Sequence, residues 1–148
     1  MKAVIQRVHN AKVEVGQVTV GQIQKGVLVF LGVNKNDTRE DADYLVDKLI
    51  HLRIFEDSQG YLNLSSLEAG AQFLVVSQFT LYGDCRKGRR PSFDQAANPQ
   101  DAEVLYNYFV ERLKAKSVTV ETGQFRAMMN VSLVNDGPVT FVIESEKG

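Results

Sequence analysis

The residues of this 148-residue chain that could do chemistry are few and sit in three places. The first is VVSQFTLYGD, where an apolar run passes without an obvious turn into Ser77, Gln78, Phe79 and Thr80. Polar side chains at the end of a buried strand commonly bind a ligand. The same pattern also fits a strand end where Ser77 and Thr80 alternate outward and Phe79 packs inside. A hydroxyl here attacks a carbonyl only if a base takes its proton, and no GxSxG elbow is present. The second place is CRKGRRPSF, where Arg86, Lys87, Arg89 and Arg90 crowd around Gly88 in a chain of formal net charge −1. Such a run is either a solvated loop or a local phosphate-contact patch. The third is NDGP, between the strand-like runs VSLV and VTFVI. It reads as a turn. Asn and Asp tolerate unusual backbone angles, Gly137 allows positive φ, and Pro138 opens the next strand without having to donate a hydrogen bond.

Other chemistries find little support. His9 and His51 are the only histidines and Cys85 the only cysteine. With no HExxH or CxxC spacing, a zinc site is not expected, and His51 reads as a helix-end residue. A Ser/Cys–His–acid triad stays open only as a convergence of distant residues, since triads are recognised by geometry rather than order. GxxxxGK[ST] and GxGxxG are absent, so no nucleotide cofactor is expected. The lone cysteine excludes an internal disulfide framework and suits a reducing cytoplasm. No apolar run approaches a membrane span, and the N-terminus alternates in polarity, unlike a signal peptide.

Certain elements must position these residues. A chain with 44% hydrophobic and 24% charged residues suits one globular domain, taken here as 1–148. KAVIQRV, AKVEV, QVTV and GVLVFLGV read as short strands, with turns at Asn10-Ala11 and Gly16-Gln17. GVLVFLGV is apolar throughout, which predicts burial on both faces. The period then changes. Ala42, Leu45, Val46 and Leu49 lie on one helical face, with Thr38 as N-cap and Asp41 as its reciprocal partner. Short strands are expected at Leu52–Phe55 and Tyr61–Asn63, and a buried strand within QFLVVSQFTLYG. A second helix starts at Asn98-Pro99 and buries Ala102, Leu105, Tyr106, Phe109 and Leu113. SVTVETG and the two runs around NDGP complete an α/β fold: layered mixed sheets (β/β/α), with two helices covering one face.

SQFTLYGD, KGRRPSF and NDGPVT, in this order in so short a chain, resemble the D-aminoacyl-tRNA deacylase family. MKAVIQRV and NPQDAEVLYNYFVERL resemble it too, and the likeness runs end to end. The resemblance implies a homodimeric, cofactor-free hydrolase of translation quality control, with two active sites at the subunit interface. Gly137 and Pro138, joined by a cis peptide, would reach from one chain toward Ser77, Gln78, Phe79 and Thr80 of the other. Arg7 would hold that loop. Arg86, Lys87, Arg89 and Arg90 would contact tRNA. The implied reaction cleaves the ester of D-aminoacyl-tRNA, with backbone carbonyls excluding L-side chains. Two readings of another class remain: a non-catalytic RNA-binding dimer, and a triad hydrolase of small esters.

Overall fold

A computed structural model describes residues 1–145. Its centre is a six-stranded sheet. Strand β1 (Lys2–Val15) is the spine. One edge of β1 pairs with β3 (Gly26–Gly32) through residues 2–8 and with β2 (Val18–Ile23) through residues 11–15, both antiparallel. Beyond β3 come β6 (Gln72–Ser77) and β7 (Val120–Thr122), each added in parallel. The other edge of β1 pairs along nearly its whole length with β8 (Asn130–Glu144). A small hairpin of β4 (Phe55–Glu56) and β5 (Leu62–Leu64) stands apart.

Two cores flank this sheet, and strand periodicity separates them. Val27, Val29 and Leu31 of β3 and Phe73 and Val75 of β6 join one core, while Leu28, Leu74 and Val76 join the other. Successive side chains of a strand point to opposite faces, so a strand buried on both faces reads as unbroken apolar sequence. The first core is closed by helix α1 (Arg39–His51) and helix α2 (Pro99–Lys114), which pack on each other. In α1 the Asp41 carboxylate accepts the Thr38 N–H at 2.8 Å. In α2 the Asn98 side chain accepts the Asp101 N–H at 2.9 Å, and Pro99 takes the first position. The second core lies between β3/β6 and the far half of β1 with β2. There β2 crosses so close to β7 that a Cβ at Gly21 would lie 2.2 Å from the Thr122 carbonyl oxygen. Layered mixed sheets with both helices on one face are therefore observed.

Two local expectations fail for a shared reason, and three strand bounds shift. Asn10-Ala11 is not a turn, because β1 runs through it. Ala3 and Ile5 face the helical core, yet Ala11 and Val13, of the same parity, face the second core. The pairing with β8 slips on both sides of Val8, as at a β-bulge. NDGP is likewise not a turn separating two strands. Residues 130–135 and 140–144 of β8 both pair with β1, so 136–139 bulge out of one continuous strand. The expected strand over SVTVETG shrinks to Val120–Thr122, preceded by Ser117 at φ 62°. The expected Leu52–Phe55 and Tyr61–Asn63 strands lie at Phe55–Glu56 and Leu62–Leu64.

Candidate active site

Strand β6 delivers the first group. Its last residue, Ser77, is level with Leu31, and the Gln78 N–H donates to the Leu31 carbonyl at 2.8 Å. Pairing ends there. Phe79–Tyr82 form a 3₁₀ turn, whose opening amides, Phe79 and Thr80, have no preceding carbonyl within the turn to accept them. The Gln78 side-chain amide donates to the Thr80 hydroxyl. Phe79 is 59% exposed rather than packed inside, and its ring meets Phe93 at 5.2 Å between centroids. Below the strand end, the buried Tyr106 hydroxyl donates to the Val75 carbonyl at 2.7 Å. Burial pushes the Tyr106 phenol well above its ordinary range, so it is a neutral donor. Its ring stacks on Phe125 at 5.8 Å.

Beside this strand end opens a cleft of about 620 Å³. Ser77, Gln78 and Phe79 form one wall, Phe93, Ala96, Ala97 and the start of α2 a second, and Phe125 to Met129 with Val131 a third. Most of the lining is apolar, and among the described residues Arg126 is its only ionisable side chain. Thr80 lies just outside the lining, with its hydroxyl bonded to Gln78.

Gly137 and Pro138 lie elsewhere, exposed on the β8 bulge. Their peptide bond is cis, and Gly137 has φ 148°, a conformation that L side chains rarely adopt. The Asn135 side chain closes the base of the bulge, accepting the Val139 N–H at 2.7 Å. Arg7 anchors it from β1. This guanidinium is 4% exposed and donates to the Asp136 carbonyl at 3.0 Å and the Ile54 carbonyl at 2.8 Å. The carboxylates of Asp136 (3.4 Å) and Glu56 (3.6 Å) neutralise it. The bulge sits beside Arg7, which pairs with Val27, whereas Ser77 pairs with Leu31. Within one chain the two groups are four residues apart along β3 and three strands apart across the sheet, on the order of 20 Å.

The basic run forms a small exposed loop. Asp84 and Ser92 close it with reciprocal backbone bonds of 2.7 and 2.9 Å, and Gly88 takes φ 65°. Arg86 turns back on Asp84 through a fork of 2.9 and 2.7 Å. Those bonds hold the Asp84 carboxyl down at about 2. Lys87, Arg89 and Arg90 are exposed. Because Phe93 lines the cleft, the loop stands at its mouth. Neither histidine is among the cleft's lining residues: His9 meets Asp136 of the β8 bulge at 3.5 Å, and His51 meets Asp47 at 3.3 Å.

With this arrangement in view, comparison with known proteins is decisive. A family model for D-Tyr-tRNA(Tyr) deacylase matches residues 4–144. The chain belongs to that family. It is 55% identical to the D-aminoacyl-tRNA deacylase of Thermosipho melanesiensis and 57% identical to that of Clostridioides difficile, each over 99% of both chains. Among solved structures, one named c-Myc DNA Unwinding Element Binding Protein superposes with a TM-score of 0.93 at 40% identity, covering 99% of both chains. A probable eukaryotic D-amino acid tRNA deacylase gives 0.84 at 21% identity over 97% of this chain and 98% of that one, a likeness of fold.

In this member of the deacylase family, Phe125 and Arg126 carried no sequence signal, and Phe93 lay in the KGRRPSF motif without being singled out. Phe93 comes from one segment, and Phe125 and Arg126 are neighbours in a second. Arg126, at φ 66°, and Met128, 91% exposed, belong to the irregular link from β7 to β8. The run GQFRAMM lacks strand or helix periodicity, and that was the only available hint.

Proposed function

We propose that this chain hydrolyses the ester bond of D-aminoacyl-tRNA, releasing a free D-amino acid and tRNA. It would act as a cofactor-free homodimer in the cytoplasm, where it proofreads chirality in translation. The observation that carries this reading is the family match over nearly the whole chain.

The site's chemistry agrees with it. The two motifs are too far apart to share a substrate within one chain, so joint action requires a second copy. Strand β8 is an edge bearing exposed Val134, Phe141 and Val142, which suits such a copy. In the dimer, Gly137 and Pro138 of one protomer would face Ser77, Gln78, Phe79 and Thr80 of its partner. Their carbonyls would hold the substrate's α-ammonium. An L-side chain would then meet main-chain atoms, while a D-side chain would point outward. Arg7 and Asn135 fix the bulge, and a fixed backbone imposes a steeper penalty than a pliable pocket.

Among the described residues no carboxylate or imidazole lines the cleft, so general-base help, worth about 10²–10⁴-fold, is not assigned to a side chain. Aminoacyl esters are already reactive. The reading gives the Phe79 and Thr80 amides the developing oxyanion, where one donor contributes roughly 10²–10³ in rate. Gln78 would position the terminal adenosine or the carbonyl, and the neighbouring ribose 2′-hydroxyl would orient water. The Lys87, Arg89 and Arg90 loop would meet phosphates near the cleft mouth.

Glycine has no side chain to collide with the wall. Deacylation of D-alanyl-, glycyl- and L-alanyl-tRNA by the purified protein tests the reading. The first two should be hydrolysed and the third spared. Rapid L-alanyl cleavage beside slow glycyl cleavage would overturn the backbone wall. A non-catalytic nucleic-acid binder, as the name of the 40% identical structure suggests for that protein, would show salt-dependent binding without turnover.

A further inference from the structure

A second groove lies next to the cleft. It measures about 320 Å³ and shares Val33 and Ala97 with the cleft as a common wall. Its remaining sides come from the loop entering α1 and the first turns of α2. Lys35 and Arg39 stand on one rim, and Val104, 62% exposed, offers an apolar surface on the other.

The charges in this groove do not cancel. Asp37 is spent internally. Its carboxylate takes the Met1 ammonium at 2.7 Å and the Asn34 N–H at 2.7 Å, and its side chain is 7% exposed. Asp101 accepts from the Asn98 side-chain amide at 2.9 Å. Among the described residues, by contrast, Lys35 has no ion-pair partner, and the Arg39 guanidinium lies over the Tyr108 ring at 5.0 Å with none. Two exposed cations thus flank an apolar floor; the Met1 ammonium neutralises Asp37, and Asp101, bonded to a neutral amide, keeps its charge and leaves the groove net positive. A single-stranded nucleic acid presents that complement: phosphates for the cations, and ribose and base faces for the apolar surface.

We infer that this groove holds the single-stranded 3′ segment of the RNA immediately upstream of the terminal nucleotide in the cleft. The inference rests on the proposed function for the identity of the RNA. The groove itself supplies the direction: the strand leaves over the Val33–Ala97 ridge toward Lys35 and Arg39. The Arg86–Arg90 loop stands at the Phe93 wall and is left to meet a different part of the same molecule. Lys35 and Arg39 are binding residues in this assignment and do not touch the reacting ester.

Two phosphate contacts on a single strand contribute a slope of about −1.4 in log K against log salt, on the order of 25-fold in affinity at 0.1 M salt. The test is fluorescence anisotropy with an uncharged RNA hairpin ending in a single-stranded 3′ CCA, titrated at several salt concentrations. The double variant Lys35→Gln/Arg39→Gln should bind on the order of 25-fold more weakly at 0.1 M salt, with a slope shallower by about 1.4. A blunt hairpin lacking the overhang should bind the variant and the parent alike. An unchanged slope on the overhang RNA, or an equal loss on the blunt hairpin, overturns the inference. The ratio of kcat/KM for D-aminoacyl-tRNA to that for a D-aminoacyl-adenosine ester gives a second readout. It should fall by a similar factor, and a ratio within twofold of the parent's would also overturn the inference. Absence of hydrolysis of both esters by the parent protein defeats the proposed function instead, and the binding measurement still decides the groove.

Discussion

Removing the guanidinium of Arg7 should damage stability and selectivity together. Arg7 is 4% exposed and ties the β8 bulge, through the Asp136 carbonyl at 3.0 Å, to the Ile54 carbonyl at 2.8 Å beside β4. A hydrogen bond from a charged donor is worth about 1.5–3 kcal/mol. Breaking a buried ion pair from one side costs about 3–5 kcal/mol. Glu56 is half exposed and Asp136 a quarter exposed, so both carboxylates can turn to water, which favours the lower end of that range. Arg7→Met should therefore cost about 3 kcal/mol, or roughly 6–12 °C in Tm for a chain of this size. Arg7→Lys keeps the charge but lacks the fork needed to reach two carbonyls on different elements, and should cost about half as much. Thermal unfolding at one fixed protein concentration measures this, because a dimer's Tm depends on concentration. In parallel, the ratio of D-alanyl- to L-alanyl-tRNA hydrolysis should fall in both variants, since the bulge loses its tether. An Arg7→Met protein with Tm within about 2 °C of the parent and an unchanged ratio would refute this account of Arg7.

Thr80→Ala should retain kcat/KM for D-aminoacyl-tRNA within about tenfold, because the Thr80 hydroxyl is bonded to Gln78 and no base accompanies it in the cleft; a loss of 10²–10⁴ in single-turnover rate would instead assign that hydroxyl to the chemistry. The Asp84–Arg86 fork should persist to unusually low pH. The Asp84 pKa is held down to about 2 from an ordinary 3.8, so the fork's contribution is fully present above pH 4 and is lost as pH falls through about 2. A carboxyl ¹³C titration followed by NMR reads this directly, and a midpoint near 3.8 would mean that the fork does not form in solution.

Much of the fold was legible because it follows from short-range periodicity. Val27–Leu31 and Phe73–Val76 are apolar throughout since each strand feeds two cores, and the caps at Thr38 and Asn98 announce the helices. The two bulges were not legible. Asn10-Ala11 and NDGP read as turns, and only the pairing of β1 with β8, more than a hundred residues apart, shows continuous strands that kink there. For the candidate site, Ser77, Gln78 and Phe79 announced themselves by sitting at the end of an apolar strand. Phe125 and Arg126 did not, because the irregular segment that carries them meets the strand end only once the chain has folded. The Lys35–Arg39 groove was not legible either, since what distinguishes it is that Asp37 is taken up by the distant Met1 ammonium.

Strand β3 divides the molecule into two interiors, and this gives an observer a rare vantage. A methyl label at Leu28 looks into the space beneath β2, and one at Val29, the very next residue, looks toward the helices. Spectra from adjacent positions would thus follow the loosening of either half separately, and would reveal whether the protein melts as a whole or sheds its helical side first.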